Sequence, residues 1–251
     1  KASLESIRST ISLILVDSEM DYFFNLALLF ESKKFYLQAL SFALESSKSI
    51  IKTKNIGTEK ESDVFYKIFE LALNLGEYKM SFSAIKEMTH KNRDIPLRKF
   101  VYKLFQEGKL GYVIEFNYGE DLDRVDDLIY SMGEESLQSI ETLGDVKLAL
   151  KYYRVCYSLR LKEGDFRGAI ESLYRFNKVV GLHYGDAVYT SEEMAEILKN
   201  NYLVMLNLIN SFKEEDRWII GRKVSDGDAD AVVSSAKLEE EYLTFVDKGK
   251  Y

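Results

Sequence analysis

Apolar residues recur every three or four positions along most of the chain, which is the spacing of one buried face on an α-helix. The pattern is strongest from Asp145 to Phe176, where two such stretches flank Glu163-Gly164-Asp165. Gly164 can adopt the left-handed conformation that ends a helix, and Asp165 can cap the next one. This stretch predicts a helical hairpin. A lone hairpin cannot bury its own apolar faces, so it needs neighbours on both sides.

Similar patterns cover the rest of the chain and predict roughly eleven to thirteen helices. Further glycine turns are expected at Gly76 and Gly108, and Pro96 suits the first turn of a helix. The turns are unevenly spaced, so regular tetratricopeptide repeats are not expected. The predicted fold is all-α: an irregular solenoid-like stack of antiparallel helical hairpins, with residues 1–251 forming one domain.

Several boundaries carry more specific signals. Thr58 with Glu61 and Thr190 with Glu193 have the spacing of capping boxes, which predicts a helix after each. Residues 112–117 fit either a short strand or a short helix. The polar, glycine-containing segment 221–230 predicts a loop before a last amphipathic helix.

Composition narrows the class of protein. A net charge of −7 without a basic cluster argues against direct nucleic-acid binding. The single cysteine, Cys156, excludes an internal disulfide and a cysteine-based zinc site. The longest apolar run, Leu13 to Val16, is far shorter than the roughly 20 residues of a membrane-spanning helix. The chain begins at Lys1 rather than at methionine, so we expect a fragment of a larger protein.

No catalytic, cofactor-binding or metal-binding residue is predicted. His90 and His183 belong to different hairpins and lack partners on one helical face, while Cys156 lies on the apolar side of its helix. The aspartates from Asp226 to Asp230 start like a calcium loop, but alanine and lysine occupy positions six and twelve, which need glycine and glutamate. No phosphate-binding glycine loop is present.

The region from Phe212 to Tyr251 is the best candidate for a protein interface. It contains Trp218, the only tryptophan, and tryptophan and tyrosine are frequent at binding hot spots. Trp218 capping the last hairpin is the competing interpretation. The candidate interface residues are Leu203, Leu206, Phe212, Trp218, Ile219, Leu238, Tyr242 and Phe245.

Several strings resemble the C-terminal α-helical region of the nucleoporin-120/nucleoporin-160 family. They are Leu148 to Tyr153, Tyr157 to Ala169, Tyr202 to Ile209, Asp216 to Ile220 and Leu238 to Leu243. The upstream segments Pro96 to Leu104 and Glu107 to Leu110 resemble the same region in order. The similarity extends from about Val64 to Phe245.

The resemblance implies a role and a set of partners. Members of this family join an N-terminal β-propeller, absent from this chain, to an irregular helical stack in the Y-shaped coat complex of the nuclear pore. Their C-terminal part meets the tails of nucleoporin-85 and nucleoporin-145C (nucleoporin-96 in animals) at the hub of the Y. The expected function is therefore a structural scaffold at the nuclear envelope that supports pore assembly and nucleocytoplasmic transport.

Two other classes remain open. The first is a tetratricopeptide-like adaptor that binds peptides, for which Asn200, Asn201 and Asn207 offer a partial groove. The second is an enzyme with a site formed by His183, Tyr184 and Asp186 and a second acidic residue. A peptide pulldown would favour the adaptor, and a pocket that joins these side chains would favour the enzyme.

Overall fold

The computed structural model describes residues 18–53, 59–185, 187–221 and 231–248. The chain forms two compact units, Lys1–Tyr112 and Val113–Tyr251. The described residues are almost entirely helical within each unit, so the predicted all-α stack of hairpins is confirmed. Whether residues 1–251 act as a single domain stays a prediction.

The first unit consists of consecutive helices joined by short turns. Helix α1 packs against α2, α2 against α3, and α3 against α4 and α5. The residue ranges are α1, Glu19–Ser32; α2, Tyr36–Thr53; α3, Glu59–Asn74; α4, Tyr78–Glu87; and α5, Asp94–Gln106, with a 3₁₀ turn at His90–Asn92 before α5. Helix α6, Leu110–Glu115, follows at the boundary of the unit.

Buried aromatic rings and an ionic network hold the first unit together. Phe82 on α4 stacks on the fully buried Phe100 of α5, with 5.8 Å between ring centroids. Lys67 on α3 forms ion pairs with Glu31 on α1 at 3.1 Å and with Glu70 at 3.3 Å. Glu70 also pairs with Lys99 on α5 at 3.3 Å. The network therefore links three helices on the half-exposed side of the unit.

The second unit contains the remaining helices and a small sheet. Helix α8 packs between α7 and α9, and α11 packs against α9 and α12. The ranges are α7, Leu122–Gln138; α8, Leu143–Glu163; α9, Phe166–Tyr184; α10, Ala187–Thr190; α11, Glu192–Ile209; and α12, Ser235–Lys248. Strands β1, Trp218–Gly221, and β2, Ala231–Ser234, pair antiparallel with Ile219 opposite Val233.

The hairpin predicted around Gly164 is formed by α8 and α9. Thr142 and Asp145 make a reciprocal capping box at the start of α8, and Gly164 ends the helix at φ 84°. The Asp165 side chain then accepts a hydrogen bond from the Gly168 N–H, which caps α9. Local chemistry thus fixes both ends of the turn, as the sequence predicts.

Four turns among the described residues are closed by the same type of hydrogen bond. In each, an N–H bonds to a carbonyl five residues earlier, which is the Schellman arrangement at a helix end. These bonds are Phe35 to Phe30, Glu77 to Ala72, Lys109 to Leu104 and Asp165 to Arg160. Three of the turns place a glycine in the left-handed position, whereas the first places Lys34 there at φ 64°.

Other local predictions are corrected or refined. The capping residue of α11 is Ser191, whose side chain accepts from the Met194 N–H, rather than Thr190. The segment predicted as a loop from residue 221 is flanked by the two strands, which were not predicted. Residues 112–115 are helical and belong to α6. Thr58 and the aspartates from Asp226 to Asp230 lie outside the described residues.

Candidate partner-docking surface

Three of the predicted interface residues lie in the core of the second unit. Ile219 and Leu238 are fully buried, in one apolar cluster with residues of α9 and α11. Phe245 is buried in a second cluster with Val180 and Leu198. These side chains therefore hold β1 and α12 to the unit, and a truncation after Ser211 would remove part of the core.

The other five predicted residues are more accessible. Leu206, Phe212 and Tyr242 are half-buried and pack against the first cluster, and Trp218 is also half-buried. Leu203 is exposed on α11. Their participation in an interface stays a prediction, and these are the members of the set that a partner can reach.

Trp218 is fixed by an arginine on α9. The Arg167 guanidinium carbon lies 3.8 Å from the centroid of the Trp218 ring, and its Nε donates to the Trp218 carbonyl at 3.1 Å. On the same edge of β1, the Ile220 N–H donates to a Glu171 carboxylate oxygen at 2.9 Å. Trp218 thus anchors the small sheet to the first turns of α9, while part of its ring remains accessible.

A cleft of about 440 Å³ opens between α9, α10, α11 and α12. Its apolar lining combines buried residues of the core with Leu182, which is exposed at the rim. The apolar lining residues are Leu182, Val188, Leu198, Tyr202 and Phe245, and the polar ones are Asn177, Lys178, Lys237, Glu240, Glu241 and Thr244. An apolar floor with a charged rim is typical of a site that receives an apolar side chain.

Gly181 on α9 and Gly185, the residue that follows the helix, widen the cleft. Gly181 and Gly185 both line it, and a Cβ atom added at either position would have no heavy atom within 4 Å. Because Gly181 lies inside the helix, an occupant can approach the helix backbone closely at this point. The sequence analysis did not identify this cleft. The glycine four residues before the glycine that ends α9 was the signal available in the sequence.

Glu241 organises the polar wall of the cleft. Its carboxylate accepts hydrogen bonds from Lys178 Nζ at 2.7 Å, the Tyr174 hydroxyl at 3.2 Å and the Tyr202 hydroxyl at 3.3 Å. Burial, together with the nearby Glu241 charge, raises the pKa of Tyr174, so this phenol stays protonated as a donor. These hydrogen bonds hold Glu241 in a fixed position, and Lys178 neutralises its negative charge.

Buried amides lie behind the cleft. Asn201 on α11 donates to the Asn177 side chain on α9 at 2.9 Å, and Asn177 donates to the Leu198 carbonyl at 3.1 Å. Asn201 is buried, so it is unable to line a peptide groove with the exposed Asn200 and Asn207. The three asparagines that suggested a peptide adaptor therefore do not form one exposed groove.

The structure describes His183, Tyr184 and Cys156 among the residues considered for other chemistry. The His183 ring packs edge-on against the Tyr184 ring, with 4.9 Å between the ring centroids. Asp186 lies outside the described residues. Cys156 is buried, and burial raises the pKa of its thiol, which disfavours the reactive thiolate. Within the described ranges, no three acidic, histidine or cysteine side chains form a metal-binding group. None of the described helices is both long and apolar enough to cross a bilayer.

The hairpin stacks define an all-α protein of the helical-repeat class. Residues 1–106 match the family described as Nucleoporin Nup120, HEAT repeats. Residues 1–106 are thus similar to the helical-repeat region of Nup120 nucleoporins, a structural scaffold family. A comparison with curated proteins gives no significant match.

The family match and the resemblance cover different parts of the chain. The matched residues 1–106 include Pro96 to Leu104, one of the segments that carry the resemblance. The remaining segments, from Glu107 onward, lie beyond the match. The assignment of the second unit to the C-terminal helical region therefore rests on its sequence resemblance.

Proposed function

We propose that this chain is a scaffold of the nuclear pore coat whose second unit docks helices of other Y-complex subunits. The observation that carries the proposal is the match of residues 1–106 to the Nup120 HEAT repeats, because that family works as a structural scaffold. The cleft between α9 and α12 supplies a specific docking position. By resemblance, the partners are the tails of nucleoporin-85 and nucleoporin-145C or nucleoporin-96, at the pore in the nuclear envelope.

The cleft favours a helix as its occupant. An amphipathic helix binds a groove by inserting a few large apolar side chains, while its flanks meet charged residues at the rim. Here the floor is formed by Leu198, Tyr202 and Phe245, and the rim carries the ion pairs Lys178–Glu241 and Lys237–Glu240. The exposed Leu182 adds apolar surface at the entrance. Such an anchor position is the type of contact that dominates binding energy.

The direct test is co-purification of the chain with the tail of each candidate subunit. In the chain carrying Gly181→Leu, the new side chain projects into the cleft and competes with the occupant. The added Cβ meets no heavy atom within 4 Å, and leucine favours the helix more than glycine does. We expect at least about tenfold weaker binding without loss of folding.

Gly111→Leu is the matched control. Gly111 is also in a helix and also has no heavy atom within 4 Å of an added Cβ, but it lies in α6. This variant should bind like the unaltered chain. Equal binding by Gly181→Leu would exclude the cleft as the docking site. Failure of the unaltered chain to retain any coat subunit would contradict the proposed function itself.

A further inference from the structure

The turn between α1 and α2 projects a continuous exposed segment. Every residue from Ser32 to Gln38 is exposed, and this segment contains three consecutive large apolar side chains. Their exposed fractions are 55% for Phe35, 40% for Tyr36 and 66% for Leu37. We call residues 32–38 the α1–α2 tip. Consecutive exposed apolar residues at a convex turn are unusual on a protein surface that meets only water.

The backbone of this tip adopts an unfavourable conformation. Lys34 occupies the left-handed position at φ 64°, where the three matching turns have Gly76, Gly108 and Gly164. A side chain in this region is disfavoured because its Cβ crowds the following carbonyl. Lysine is therefore present despite a local cost, and such outliers frequently mark functional segments.

The tip also carries positive charge. Lys33 and Lys34 are adjacent and exposed, and no ion pair involves either of them among the described residues. The nearest acidic residue in sequence, Glu31, is paired with Lys67 on α3 at 3.1 Å. Two ammonium groups that form no ion pair with the described residues thus stand beside three apolar side chains, in a chain with a net charge of −7.

We propose that the α1–α2 tip contacts the surface of an anionic lipid bilayer. Phe35, Tyr36 and Leu37 would enter the headgroup region, and Lys33 and Lys34 would pair with lipid phosphates and carboxylates. Aromatic residues and lysines are the preferred side chains at this depth. This inference concerns the first unit and goes beyond the protein docking assigned to the second.

A bilayer fits this surface better than a protein partner. A protein partner needs a pocket shaped to receive these exposed side chains, whereas lipid headgroups rearrange around an inserted turn. The Phe35 ring packs edge-on against the Phe30 ring of α1, with 6.2 Å between centroids and 64° between ring planes. This contact fixes the position of Phe35 at the surface. Two lysines and three apolar residues give a weak, reversible anchor that depends on anionic lipid.

The test is sedimentation of the chain with vesicles made of equal parts phosphatidylcholine and phosphatidylserine. We expect binding to these vesicles, with little binding to pure phosphatidylcholine and a decrease as salt rises. Phe35→Ser with Leu37→Ser should reduce the bound fraction at least about fivefold. Lys33→Gln with Lys34→Gly should cause a similar loss, while Lys34→Gly also relieves the backbone conformation.

A matched control removes exposed apolar side chains elsewhere in the same unit. Ile95 and Tyr102 on α5 are 63% and 55% exposed, so Ile95→Ser with Tyr102→Ser alters a comparable area. This control should bind vesicles normally. Equal loss in the control and tip variants, or no vesicle binding by the unaltered chain, would overturn the proposal. Loss of a coat subunit rather than of vesicles in the tip variants would identify a protein surface instead.

Discussion

Arg175 on α9 holds Glu134 on α7 by two hydrogen bonds. Its Nε donates to one carboxylate oxygen at 2.9 Å, and its Nη2 donates to the other at 2.7 Å. The Tyr153 hydroxyl on α8 also donates to Glu134 at 2.5 Å. One half-buried carboxylate therefore ties together the three helices at the centre of the second unit.

Replacing Glu134 should destabilise the second unit. Glu134→Gln keeps the shape of the side chain but leaves the half-buried Arg175 without its counter-charge. The free energy of unfolding should fall by about 2 kcal/mol, which is typical of a charge-assisted hydrogen bond. Urea unfolding followed by circular dichroism measures this. Asp94→Asn is the control, because its ion pair with Arg98 is exposed. An equal effect of the two changes would contradict this role.

The same carboxylate predicts a dependence of stability on pH. Burial opposes ionisation of Glu134, but the hydrogen bonds from Arg175 and Tyr153 prevail and hold its pKa below the usual 4.5. The stabilisation is therefore complete above about pH 4.5 and is lost as pH falls through the lower pKa of the folded chain. Stability curves of Glu134→Gln and the unaltered chain should converge as the solution is acidified, and parallel curves would refute this.

Arg167 should control the position of the small sheet. Arg167→Ala removes the cation–π contact with Trp218 and the hydrogen bond to its carbonyl. We expect a loss of about 1–2 kcal/mol in unfolding free energy and a red shift of tryptophan fluorescence. Trp218 is the only tryptophan, so the emission reports this site directly. Arg98→Ala, which removes an exposed arginine from α5, should leave the emission unchanged.

Alanine replacements at core and surface members of the predicted interface should change the stability of the chain by different amounts. Leu238→Ala opens a cavity in a fully buried cluster and should cost about 2–5 kcal/mol. Leu203→Ala removes an exposed side chain and should change stability by less than about 0.5 kcal/mol. Thermal unfolding compares the two variants. A large loss for Leu203→Ala would show that this residue is structural.

Lys34→Gly should stabilise the first unit. Glycine adopts φ 64° without a Cβ clash, as Gly76 and Gly108 do in the matching turns. We expect a gain of about 0.5–1 kcal/mol, measured by thermal unfolding. Lys33→Gly is the control, because Lys33 has φ −94° and glycine there only adds freedom to the unfolded chain. A loss of stability in Lys34→Gly would refute the assigned strain.

Local chemistry allowed much of the fold to be predicted from the sequence. Gly164 and Asp165 mark a helix end and a helix start through their own backbone and side-chain preferences, so the hairpin of α8 and α9 could be located. The predicted cap of α11, Thr190, was wrong by one residue, because the neighbouring Ser191 is an equally suitable cap. Ser191 is the residue that bonds to Met194.

The parts that were missed depend on long-range contacts. Each strand has only four residues, and the Ile219–Val233 pair is stabilised by burial against α9 and α11 rather than by local preference. Apolar periodicity identifies a buried face but does not separate core from interface, so Leu238 and Phe245 were assigned to a surface. Residues of four helices line the cleft, so the glycines near the end of α9 signal only one of its walls.

The amide pair of Asn177 and Asn201 has a mechanical consequence. Apolar side chains permit two helices to slide past each other, whereas a directional bond between buried amides is lost once the helices shift by a single turn. In the proposed docked assembly, this bond resists sliding of α9 along α11, so that a pull on α9 is passed to α11.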